Sequence, residues 1–138
     1  MNIIIALQAK ANQGKSTTIS LLRPMMARLG YAEIFFQSHG KDFIAVFEHP
    51  VTKHRIGITS AGDTLDLVTK RLTELIAHGC SICVCAARTS GGTVEAIENL
   101  SGYAHMYVPK TSAVTEEEQD AANDHDAETL LREIEKRI

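Results

Sequence analysis

At 138 residues, 44% apolar and 22% charged, the chain has the size and composition of one ordinary globular domain. The net charge of −3 argues against a generic nucleic-acid surface, and no apolar run approaches the roughly 18 residues of a membrane-crossing helix. With no basic stretch leading into an apolar secretory segment, the cytoplasm is the expected compartment.

In chain order, the first strand-like run is 2–7, Asn2-Ile3-Ile4-Ile5-Ala6-Leu7. A helix follows from Ser16 or Thr17 to about Leu29, with Gly30 as its stop. Pro24 lies inside it and predicts a kink or an early break near Arg23. Strand-like runs recur at 32–37, 43–48 and 54–59. The last two are separated only by His49-Pro50-Val51-Thr52-Lys53, too short for a parallel crossover, so they should form an antiparallel hairpin. A second helix is expected over 64–78, with Leu65, Val68, Leu72, Leu75 and Ile76 at helical spacing and Asp63 as N-cap.

The run 81–87 carries Cys83 and Cys85, and with Cys80 these are the chain's three cysteines. Cys80-Ser81-Ile82-Cys83 has redox spacing, but no second Cys/His pair accompanies it, so all three read as buried strand residues. A short helix using Val94, Ile97 and Leu100 follows Gly91-Gly92, and a last strand covers 104–108. From Thr115 to Ile138 one or two helices are expected, opened by the capping box Thr115–Glu118. Leu130, Leu131, Ile134 and Ile138 form a narrow stripe that either packs on the sheet or docks a protein partner. This segment has nine acids against three bases, net −6, which leaves +3 on the body. Strands alternating with helices predict one α/β domain over 1–138, its mostly parallel sheet covered on both faces, with one antiparallel hairpin at about 43–59.

Ala9-Lys10-Ala11-Asn12-Gln13-Gly14-Lys15-Ser16 follows the first strand and opens the first helix. In that context, backbone N–H groups and the positive helix end form a cradle for phosphates. The donors would come from Ala11, Asn12, Gln13, Gly14, Lys15, Ser16 and Thr17. Lys15 would reach the β- and γ-phosphates, and the Ser16 hydroxyl would hold Mg²⁺. The segment resembles the P-loop nucleoside-triphosphatase superfamily, whose loop reads Gly or Ala, four residues, then Gly-Lys-Ser/Thr. That resemblance implies a three-layer fold and Mg²⁺-dependent nucleotide chemistry. Lys10, five residues before Lys15, is similar in position to the signature lysine of partition and septum-site ATPases of the ParA/MinD type. In that family it reaches across a dimer to the partner's nucleotide, which implies a homodimer here. Ala11 and Asn12 stand where those loops carry glycines.

Ligands of open α/β sheets bind beyond the carboxyl ends of the strands, so three further segments should meet the loop. Thr59-Ser60-Ala61-Gly62-Asp63 resembles the switch of Ras-like GTPases without its aspartate, and Asp63 falls where those enzymes orient the attacking water. Asp63, Glu48 and Asp42 are the candidate metal carboxylates, Asp63 being preferred. Arg88, in Ala87–Thr93, is the candidate cation for a γ-phosphate. Gln37-Ser38-His39-Gly40-Lys41-Asp42 forms the third segment. An Asn-Lys-x-Asp guanine motif is missing after the fifth strand, so ATP is the expected nucleotide, with GTP still open. Mg²⁺-dependent hydrolysis, as a dimeric switch, is the leading activity. A small-molecule kinase and a non-catalytic regulatory module that acts on a protein partner are the alternatives.

Overall fold

Ile3-Ile4-Ile5-Ala6-Leu7 has no polar face, which fits a strand buried on both sides rather than one wetted by solvent. The computed structural model describes residues 2–10 and 13–138, and all of Ile3–Leu7 is buried there. Among the described residues the order is β1 (Ile3–Gln8), α1 (Lys15–Arg28), β2 (Ala32–His39), β3 (Asp42–Glu48), β4 (Arg55–Thr59), α2 (Leu65–Ala77), β5 (Ile82–Ala87), α3 (Gly92–Glu98), β6 (Ala104–Pro109) and α4 (Glu116–Glu135). The strands form one sheet in the order β2-β3-β4-β5-β1-β6. β1 pairs in parallel with β5 and β6, and β4 pairs in parallel with β5.

The expected hairpin is present, with Ile44 opposite Thr59 and Glu48 opposite Arg55. The sheet is nevertheless more mixed than the sequence suggests, because β2 and β3 form a second antiparallel pair closed at His39 and Asp42. The Gly40-Lys41 connection, with Gly40 at φ 64°, is a tight turn rather than a long loop.

Alternate strand residues feed two cores, which makes three layers. Ile3, Ile5, Leu7, Phe47, Ile58 and Val84 pack with Ile19, Leu22 and Met26 of α1 and with Leu130 and Ile134 of α4. Ile4, Ala6, Val46, Cys83 and Cys85 pack with Val68, Leu72 and Leu75 of α2 and with Ala96 and Ile97 of α3. The cysteines are thus core residues, free and buried, and burial pushes the thiols of Cys80 and Cys85 up to about 12.

Two helix expectations are corrected. The early break expected near Arg23 does not occur: α1 runs through Pro24 to Arg28, and burial of Leu22 and Met26 on either side holds the helix across the missing donor. The N-cap of α2 is Thr64, whose hydroxyl accepts from Leu67 N at 3.2 Å; Asp63 lies one residue outside. The acidic terminus is one helix with the expected capping box, and its apolar stripe packs against the sheet. Among the described residues no helix is long and apolar enough to cross a membrane.

Candidate functional site

Because β1, β4, β5 and β6 are parallel and β3 runs the other way, the ends at Gln8, Thr59, Ala87 and Pro109 share one edge with Asp42. The helix after β1 covers one face and the helix after β5 covers the other. A crevice therefore opens between the ends of β1 and β5, where open α/β sheets take ligands.

Gly14 is the N-cap of α1 at φ 83°, in the left-handed region, and gives the helix no side-chain cap. The first turn carries no acidic residue. The helix therefore presents unshared N–H donors and the positive end of its dipole. Gln13, Ser16 and Thr17 are exposed there, whereas Lys15 is buried. Lys15 Nζ donates to Ala9 O at 2.8 Å and to Ala87 O at 3.1 Å, bridging the ends of β1 and β5. An ammonium group has three N–H donors, and acceptors among the described residues take two of them. Burial lowers the Lys15 pKa from its ordinary 10.5; the Asp63 carboxylate opposes that shift and the Arg88 guanidinium adds to it.

Gln13, Gly14, Lys15, Ser16 and Thr17 line a cleft of about 360 Å³ together with Lys41, Asp42 and Asp63. Asp42 is held in place because its carboxylate accepts from Ser60 Oγ at 3.3 Å, and Ser60 Oγ accepts from Phe43 N at 3.2 Å. At the rim, Arg88 Nη2 lies 3.7 Å from Asp63 Oδ1, both side chains being largely exposed. The close packing of Gly62 fixes this side of the cleft: a Cβ there would sit 2.4 Å from the Ala86 Cβ.

The chain has no significant match to any family model, curated protein or solved structure. Its function must be argued from this geometry.

The structure brings Gln13–Thr17, Asp42 and Asp63 together, with Arg88 beside Asp63. Ala11 and Asn12, two of the expected amide donors, lie outside the described residues. Glu48 is at the opposite end of the sheet, paired with Arg55 at 3.3 Å, which removes it as a metal carboxylate. Lys10 lines a second cleft of about 360 Å³ with Gln8, Ala9, Gln13, Thr89, Lys110 and Ser112. Gln13 lines both clefts.

Sequence reasoning missed the loop after β6 and its anchor. Asp126 of α4 accepts from Thr111 N at 2.8 Å and from Thr111 Oγ1 at 2.6 Å, and it pairs with Lys110 Nζ at 2.9 Å. In an acidic segment, nothing in the residue pattern separates an inward Asp126 from its solvated neighbours. His39, in the third expected segment, turns instead toward Glu74 of α2, at 3.7 Å.

Among the described residues no three His, Cys, Asp or Glu side chains converge as a metal cage. Mg²⁺ seldom needs such a cage, since it keeps waters and takes most remaining ligands from substrate phosphates. One exposed hydroxyl, Ser16, beside two carboxylates, Asp42 and Asp63, is a donor set that suits it.

Proposed function

We propose that the chain is a P-loop protein that binds a nucleoside triphosphate, with ATP as the preferred reading, and hydrolyses it with Mg²⁺. What carries this reading is the uncapped N-terminus of α1: left-handed Gly14, no acid in the first turn, and at its side a Lys15 ammonium anchored by two of its three donors. The backbone donors of Gln13 to Thr17 would grip the phosphates, and Lys15 would spend its remaining donor on them. Ser16 would hold Mg²⁺ directly, with Asp42 or Asp63 reaching it through water. The metal would neutralise charge on the phosphate oxygens.

Asp63, exposed at the rim, would orient a water for in-line attack on the γ-phosphorus. The bond from that phosphorus to the bridging oxygen would break, leaving a nucleoside diphosphate and inorganic phosphate. Before that bond breaks, Arg88 would leave Asp63 for the γ-phosphoryl oxygens, where a cation offsets the charge that develops in the transition state.

The second cleft favours an alternative, transfer to a small acceptor, because its volume equals that of the first and Gln13 lines both. Phosphate and diphosphate release, assayed with Mg²⁺–ATP alone, separates the readings. Free phosphate that disappears in Lys15→Ala supports hydrolysis, whereas diphosphate release only on adding an acceptor supports a kinase. Tight binding with neither product supports a regulatory module. Lys10 is exposed, and nucleotide-dependent doubling of solution mass, lost in Lys10→Ala, would support the dimeric switch.

A further inference from the structure

The loop that opens α1 is braced from a distance of more than a hundred residues. Asn123 of α4 is 7% exposed, and its Oδ1 accepts from Thr18 Oγ1 at 3.0 Å. Thr18 is fully buried, and its hydroxyl also lies 2.8 Å from Gly14 O, the carbonyl that accepts from Thr18 N at 3.0 Å. The same Asn123 carboxamide lies against Gly14: a Cβ at residue 14 would stand 2.8 Å from Oδ1. One polar side chain thus presses on the left-handed hinge of the loop and ties down the first turn it opens. Three residues on, and so about one turn along α4, Asp126 holds Thr111 and Lys110, and Lys110 lines the second cleft. Buried polar groups on a helix are costly unless their hydrogen bonds are met; among the described residues Asn123 finds its partner in the first turn of α1 and Asp126 in the loop after β6.

From this we infer that Asn123 is a positioning residue for nucleotide binding, setting through Thr18 and Gly14 the direction in which the α1 amides point. This rests on the proposed nucleotide reading. It makes the acidic C-terminal helix part of the site's machinery. An amide fan that is held rigid loses less entropy when it closes on an anion, so loosening the brace should weaken binding more than it weakens the fold.

The test measures Mg²⁺–ATP affinity by calorimetry for wild type, Asn123→Ala, Thr18→Val, their double variant and Thr18→Ser. Melting temperatures and amide hydrogen exchange of residues 13–17 are measured without nucleotide. Asn123→Ala and Thr18→Val should each weaken affinity about tenfold, and the double variant should be no worse than about threefold beyond either. Thr18→Ser, which keeps the hydroxyl, should stay within about threefold of wild type. Exchange at residues 13–17 should quicken in Asn123→Ala. Unchanged affinity in Asn123→Ala, fully additive losses, or a Thr18→Ser variant as weak as Thr18→Val would overturn the inference. If wild type binds no triphosphate, the nucleotide reading falls. The exchange arm then decides the brace alone, and unchanged exchange in Asn123→Ala overturns it. Should Asn123→Ala fail to fold, the Thr18→Val and Thr18→Ser pair carries the same decision.

Discussion

Asp126→Asn is the sharpest probe of how the ligand edge is held. Asp126 and Lys110 face each other at 2.9 Å with side chains only 3% and 2% exposed, and two Thr111 donors complete the carboxylate. Substitution by the isosteric amide keeps the shape but leaves the Lys110 ammonium buried opposite a neutral group. Breaking one partner of such a pair costs about 3–5 kcal/mol. A domain of ordinary stability has about 5–15 kcal/mol in all, so the variant should lose roughly a fifth or more. Urea unfolding at neutral pH, with the slope checked against wild type, reads that loss directly. In a thermal scan it should appear as a drop of about 10–20 °C.

The pH dependence is a second reading of the same group. Burial pushes the Asp126 pKa up, but the Thr111 and Lys110 hydrogen bonds outweigh it and hold it below the ordinary 3.8. A depressed folded pKa means the unfolded chain takes up the proton first. The stabilisation is complete above 3.8 and is lost as pH falls through the folded value. Wild type should therefore show a loss in acid that Asp126→Asn lacks. Replacing both partners, as Lys110→Met with Asp126→Leu, should recover most of the stability. A loss below about 1 kcal/mol in Asp126→Asn, with an unchanged acid limb, would refute the reasoning.

Gly14→Ala should cost about 2 kcal/mol in urea unfolding, because a non-glycine residue in the left-handed region is strained by about 1–2 kcal/mol and its methyl would meet Asn123. The three cysteines should resist a thiol reagent in the native state, reacting only at the rate of unfolding, since burial raises every one of their pKa values. Pro24→Ala should raise stability by about 1 kcal/mol or more, by returning an N–H to the interior of α1.

The strands were legible because their apolar runs are dense and their breaks are marked by glycine and proline. The start of α1 was legible because a strand, a Gly-Lys-Ser and a helix follow in fixed order. The β2–β3 turn was harder to read: Ser38 to Lys41 is polar enough to look like a ligand loop, and it is also short enough to close a hairpin. It closes the hairpin, and Lys41 and Asp42 line the cleft. Thr64 outcompeted Asp63 as N-cap because either residue can cap and only the backbone path chooses between them. Asn123 and Asp126 were hidden altogether. Their inward direction depends on where α4 crosses the ligand edge, a long-range fact that no local pattern carries.

In the proposed function, main-chain donors at the start of α1, helped by Lys15, hold a polyphosphate. Calorimetric titration of wild type and Lys15→Ala with Mg²⁺–ATP tests it most directly. Wild type should bind and, at about a hundred times its Kd, gain about 2.7 kcal/mol of stability. Lys15→Ala, folded to the same extent, should bind at least about tenfold more weakly. No heat from wild type at millimolar ATP, or equal affinity in the two proteins, would contradict the account.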